Sequence, residues 1–177
     1  FYNIKYIRLL ELLFLSLRFF SSQDFSILIL TSSDFESKIQ ELSTKVDITC
    51  NIHCIPCNSI FEAACSRLRV FDWPEIGSYE KILYLDTDIV LRRDITTLFS
   101  FALEDKLYGI PSGTLKSPHF GGEFFDFTSI DPSTPGLNSG TMLFPSSVPI
   151  RELFSRIVRH VNEYPADKPP YALDQPF

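Results

Sequence analysis

The sequence has no excess of basic charge: 16 Lys and Arg stand against 22 Asp and Glu in 177 residues, a formal net charge of −6. A protein that grips the phosphate backbone of nucleic acids needs clustered Lys and Arg, so no nucleic-acid partner is expected. A small anionic ligand remains open, because a bound divalent cation supplies positive charge locally. Long hydrophobic runs are missing too. The most apolar stretch, Ile4 to Phe20, is interrupted by Lys5, Arg8, Glu11 and Arg18, and its longest uncharged run is Leu12 to Leu17. A membrane span needs about 20 consecutive apolar residues, so none is expected here. A secretory signal would place small residues after an uncharged apolar block, and Phe19-Phe20-Ser21 does not. No internal repeat is visible. The chain opens on Phe and stops at Asp-Gln-Pro-Phe without a terminating element, so it reads as a fragment truncated at both ends.

What is present is the composition of a globular protein, 45% hydrophobic and 21% charged, with 17 Phe but one Met and one Trp. The length fits one domain over residues 1–177. Ile7, Leu10, Phe14 and Leu17 recur at helical spacing, so Lys5 to Phe20 is expected as a helix. Ser26 to Thr31 reads as a buried strand, after which Ser33 or Asp34 can cap a helix from Phe35 to Leu42. Val46 to Thr49 reads as a further strand, Cys50 to Asn58 as a loop, and Ile60 to Phe71 as a helix ending before Pro74. Lys81 to Asp86 is the clearest strand. Asp94 can cap a short helix through Phe101, Leu107 to Pro111 reads as a strand, and Ser112 to Pro135 as a long loop. Gly140 to Phe144 reads as a strand and Ile150 to Asn162 as a helix. Strands alternating with helices imply an α/β domain with a mainly parallel sheet.

Chemistry is concentrated in a few places. Asp86-Thr87-Asp88 follows an apolar strand. Residues at i and i+2 point to opposite faces within a strand, but a turn at its end lets both carboxylates meet a ligand in the crevice where α/β sheets bind substrates. Hard oxygen ligands suit Mg or Mn, which commonly bridge protein carboxylates to substrate phosphates. A solvated turn is the plainer reading of Asp-x-Asp taken alone. Tyr6 offers an aromatic face for a base, or else a core contact. Arg67 supplies a fixed charge for a diphosphate, or else decorates a helix surface. Asn138 carries donor and acceptor groups for sugar hydroxyls, and Gly140 permits close backbone approach, although Asn-Ser-Gly is also a common turn. Asp174 can bond a sugar hydroxyl, or cap a helix before Pro176.

Taken in order, these segments resemble the glycogenin-like family 8 glycosyltransferases, GT-A enzymes with a Rossmann-like fold. Ile82-Leu-Tyr-Leu-Asp-Thr-Asp-Ile-Val-Leu91 is similar to that family's metal-binding segment. Tyr2-Asn3 and Tyr6 resemble its uridine-contacting segment, and Arg67-Leu-Arg-Val-Phe71 its donor-contacting basic helix. Leu137-Asn-Ser-Gly-Thr-Met-Leu-Phe144 resembles the Asn-Ser-Gly segment that precedes a strand, and Asp174-Gln175 the pair beside the transferred sugar. The resemblance implies transfer of a hexose from a UDP-sugar to a hydroxyl of a protein, glycan or lipid, with retention at the anomeric carbon. It implies Mn2+ or Mg2+ at Asp86 and Asp88. Donor contacts are implied at Asn3, Tyr6, Arg67, Asn138, Ser139 and Gly140, and catalytic roles at Asp174 and Gln175. The family's later metal-binding His and basic diphosphate-binding segment would lie beyond Gln175. His53 and His160 suit ordinary surfaces, whereas His119 is a candidate for acceptor contact.

Other readings compete. Cys50, Cys54 and Cys57 have the spacing of a radical-SAM cluster motif, with Gly121-Gly-Glu123 echoing a second motif of that family. A zinc site through His53 is a variant of that reading. Four reduced thiols are the plainer expectation, and they suit a cytoplasmic protein. Asp86-x-Asp88-x-Val90 also fits the nucleophile segment of haloacid-dehalogenase-like phosphatases, which is normally on the first strand. A non-catalytic nucleotide-sugar-binding module is the last alternative; turnover of a UDP-sugar separates it from an enzyme.

Overall fold

Leu10, Leu13, Phe14 and Leu17 lie buried on one side of α1 (Lys5–Phe20), the apolar stripe that makes this segment a helix over the expected bounds. The computed structural model describes residues 3–22, 24–122, 124–165, 170 and 172–177, so Tyr2 and Glu123 lie outside the described residues. Strand β1 (Leu28–Thr31) leads through a 3-10 turn at Ser33–Phe35 into α2 (Glu36–Val46). Neither Ser33 nor Asp34 caps α2, whose entry is shaped by that turn instead. Strand β2 (Asn51–Cys54) pairs with β1 in parallel, Leu28 opposite Asn51 and Thr31 opposite Cys54. Parallel neighbours need a crossover, and α2 is that crossover.

The expected strand from Val46 to Thr49 is corrected. Ile39, Leu42 and Val46 are buried together on α2 at helical spacing, so the helix keeps Val46 despite its β-branched side chain. Asp47, with φ 55°, adopts the left-handed conformation that ends helices. The strand then falls inside the expected loop, at Asn51–Cys54.

The chain divides into two compact units, Phe1–Ser66 with Asp86–Ala102, and Arg67–Leu85 with Leu103–Phe177. In the first, Arg18 donates to the Val46 carbonyl at 2.8 Å, placing a cation at the negative end of α2. Lys45 pairs with Glu11 at 2.6 Å, also between α1 and α2. Buried Ser16 donates to Leu13 O at 2.8 Å and accepts from the Leu91 amide at 3.0 Å, tying the segment after Asp88 to α1. The expected helix from Ile60 to Phe71 is two pieces, α3 (Ile60–Cys65), capped by Ser59, and a 3-10 helix at Ser66–Asp72. Asp94 accepts from the Thr96 amide and hydroxyl at 2.9 and 2.8 Å, which starts a 3-10 helix at Thr96–Ser100.

The second unit is built on β3 (Lys81–Leu85), β4 (Tyr108–Thr114) and β5 (Pro135–Pro145), in the order β3-β5-β4. Both pairings are antiparallel, with Leu85 opposite Thr141 and Tyr108 opposite Leu143. The α/β class is as expected, with parallel pairing carried by β1 and β2. Alternating burial reports which side of a strand is covered and is blind to its neighbour's direction. Helix α4 (Val148–Glu163) lays Phe154 against Phe144 and Phe71, with ring centroids 4.9 and 5.2 Å apart. Pro149 stands in its first turn, where a missing amide hydrogen costs nothing. The long connection from β4 to β5 is pinned by Phe120, whose ring fills the space beside Gly136: a Cβ there would lie 2.4 Å from it. Phe124, Tyr164 and Phe177 form a second aromatic cluster at 5.7, 5.3 and 5.4 Å.

Candidate functional site

Four of the residues singled out above meet in the second unit. Arg67 opens it at the start of a 3-10 helix, and its Nε lies 3.1 Å from Asp174 Oδ2. Asp174 is 7% exposed, so its charge depends on a partner, and Arg67 is that partner. Arg67 Nη1 also donates to Ser139 Oγ at 3.4 Å. The Ser139 hydroxyl has one proton to share between Asp174 Oδ2 at 3.2 Å and Gln175 Oε1 at 3.0 Å. A guanidinium, a carboxylate, a hydroxyl and an amide thus form one network.

The network hangs on β5. Asn138, Ser139 and Gly140 lie inside that strand, whereas the expected strand starts only at Gly140. Asn138 faces Ile110 of β4, and its Oδ1 accepts from the Gly140 amide at 2.7 Å, at the register shift where β4 gives Gly140 no partner. Asp174 arrives on a turn after Leu173, whose φ of 54° is an uncommon conformation for a branched residue. Strain of this kind persists only where the surroundings over-determine it. Here the surroundings are the ion pair of Asp174 and the hydrogen bonds of Gln175. Residues 172–176 are turns and no helix follows Asp174, so it does not serve as a helix cap.

One participant escapes sequence reasoning. Tyr84, on β3, places its ring 5.2 Å from the Arg67 guanidinium carbon. A cation over an aromatic face is attracted by the ring quadrupole. In sequence Tyr84 is just one apolar member of a strand, and no spacing ties it to Arg67.

The remaining candidates belong to the first unit. The Asp86 carbonyl accepts from the Ile89 amide at 3.3 Å, closing a turn directly after β3. The turn carries both carboxylates, Asp86 half-buried and Asp88 exposed. Asn3 Oδ1 accepts from the Lys5 amide at 3.0 Å at the entry of α1, and Tyr6 stands exposed in its first turn. Among the described residues, no three His, Cys, Asp or Glu side chains form a group that could hold a metal, Cys50, Cys54 and Cys57 included. Burial, and then the charge of Glu36 3.6 Å away, raise the pKa of the Cys54 thiol; burial raises that of Cys50. A raised pKa disfavours the thiolate that a metal or cluster requires.

Residues 28–177 match the family model described as glycosyl transferase family 8. The match spans both the three-cysteine stretch and the Asp86–Asp88 turn, so one family accounts for both and the radical-SAM and dehalogenase-like readings fall away. No curated protein matches the sequence. Among the described residues, no helix is long and apolar enough to cross a membrane.

Proposed function

This chain belongs to glycosyl transferase family 8, and we propose that it moves a hexose from a UDP-sugar to an acceptor hydroxyl, with retention at the anomeric carbon. The observation that carries the reading is the buried Arg67–Asp174 pair, which shares Ser139 on the strand that also holds Asn138. A carboxylate paired with a guanidinium is a strong acceptor for hydroxyl hydrogens. Arg67 and Ser139 both address its Oδ2. Asn138 brings two amide donors suited to hydroxyl oxygens. Arg67 contributes positive potential toward a diphosphate, and Tyr6, beside Asn3, an aromatic face for uracil.

Asp86 and Asp88 fit a divalent cation by their chemistry, two hard oxygen donors on one tight turn, and these two side chains would hold it. Mn2+ or Mg2+ held by these carboxylates would supply positive charge against the diphosphate of the donor. The test is calorimetry of UDP binding with Mn2+. Asp88→Asn removes an anionic ligand without changing shape, and we expect metal-dependent affinity to fall by at least about tenfold. Unchanged affinity would take Asp88 out of the metal site. Release of UDP from a UDP-sugar separates an enzyme from a binding module.

A further inference from the structure

Strand β5, with 11 residues, is longer than both of its neighbours. Its pairing with β3 ends where Leu85 meets Thr141, while β4, after a register shift that passes over Ser139 to Thr141, pairs again at Asn138, Leu137 and, past a second shift, Pro135. Beyond Thr141 the edge that faced β3 runs on through Ser139 and Leu137 with no strand beside it among the described residues. An unpaired backbone edge is costly when it is even half-buried.

The side chain of Gln175 occupies that edge. Its Oε1 accepts from the Ser139 amide at 2.9 Å, and its Nε2 donates to the Leu137 carbonyl. A residue of a neighbouring parallel strand makes this same pair of bonds, reaching the amide on one side of its partner and the carbonyl on the other. The amide of Gln175 therefore stands in for a strand residue opposite Asn138. Its oxygen also lies 3.0 Å from Ser139 Oγ, whose one proton it shares with Asp174, so the oxygen is engaged by Ser139 through the amide and, part of the time, through the hydroxyl.

We infer that Gln175 is a positioning residue whose side-chain amide extends the β5 edge, and that it holds Asp174 against Arg67 instead of presenting its own oxygen to the sugar. The inference rests on the donor-site reading for its consequence in catalysis, while the clamp itself stands on the hydrogen bonds. Gln175 and Asp174 are adjacent, and Ser139 bonds both, so fixing Gln175 on the strand fixes the carboxylate beside it. The positive φ of Leu173 is then explained as backbone strain that this attachment maintains.

Two variants of the full chain separate positioning from direct contact. Gln175→Glu keeps an oxygen for a substrate but loses the donor to Leu137 O and sets an anion against that carbonyl. Gln175→Met keeps the length and loses both bonds. The clamp predicts that both variants lower kcat for UDP release by about tenfold or more, while affinity for UDP alone, which lacks the sugar, stays at the native value. It also predicts that amide hydrogen exchange at Ser139 accelerates by about tenfold in both, with the exchange of β3 unchanged. Native turnover in Gln175→Glu together with loss in Gln175→Met would overturn the inference in favour of direct contact. Native exchange at Ser139 in both variants would overturn the clamp itself. If the unmodified chain releases no UDP from any UDP-sugar, the functional reading fails, and the exchange measurement still decides the clamp.

Discussion

Arg67 is surrounded on three sides, by the Asp174 carboxylate, the Ser139 hydroxyl and the Tyr84 ring. Its side chain is 17% exposed and that of Asp174 8%, so this ion pair is far less screened than a surface one. Removing one partner leaves the other charge buried and alone. We expect Arg67→Met to destabilise the second unit by about 3 kcal/mol, and the double variant with Asp174→Asn to recover most of that loss. Urea unfolding followed by the fluorescence of Trp73 is the measurement, because the single Trp is buried in this unit and stacked on Tyr79. A double variant no more stable than Arg67→Met would mean that the charges are not coupled. At this scale Arg67 and Asp174 are each legible from the resemblance, but the bond between them is not. They stand 107 positions apart (174 − 67), and no local pattern pairs residues at that distance.

Elements were legible in proportion to their regularity. The stripe of α1 repeats over 16 residues, and its bounds are those expected. Helix α4 likewise buries Ile150 and Phe154 at i and i+4. The core of the second unit depends on that helix: Phe154 is 1% exposed and packs on both Phe144 and Phe71. Phe154→Ala removes a large ring from a site lined by two others, and a loss of about 3–5 kcal/mol is expected. Trp73 fluorescence in urea again measures it, and a loss below about 1 kcal/mol would mean that the site collapses or was never closely packed. Short elements were harder. Strand β2 has only four residues, with Asn51 and His53 among them, so it carries too weak an apolar alternation to be distinguished from a loop. The extra residues of β5, Pro135 to Ser139, contain Pro, Gly, Asn and Ser, which by themselves spell a turn. They are strand because β4 pairs with Pro135, Leu137 and Asn138, and Gln175 bonds Leu137 and Ser139 on the other edge.

For the whole molecule, a ligand that binds only the folded chain must raise its stability. If Asp86 and Asp88 hold a cation that in turn holds UDP, then Mn2+ and UDP together at about 100 times the dissociation constant contribute about 2.7 kcal/mol. For a chain of this size that moves the thermal midpoint by about 5–10 °C. The shift should need both components and should be absent in Asp88→Asn; a midpoint that moves with UDP alone would detach nucleotide binding from the metal. Sequence by itself determined the family, the placing of both carboxylates directly after a strand, and the helices whose apolar period runs long enough to read. Each of these is local, set by residues within a few turns of one another or by a motif of fixed spacing. Tertiary structure alone decided that β5 runs antiparallel to both neighbours, that Tyr84 faces Arg67, and that Gln175 completes the strand holding Asn138. Those facts depend on which distant segments share an edge, and a hydrogen-bonding group carries no mark of its partner until the chain has closed around it.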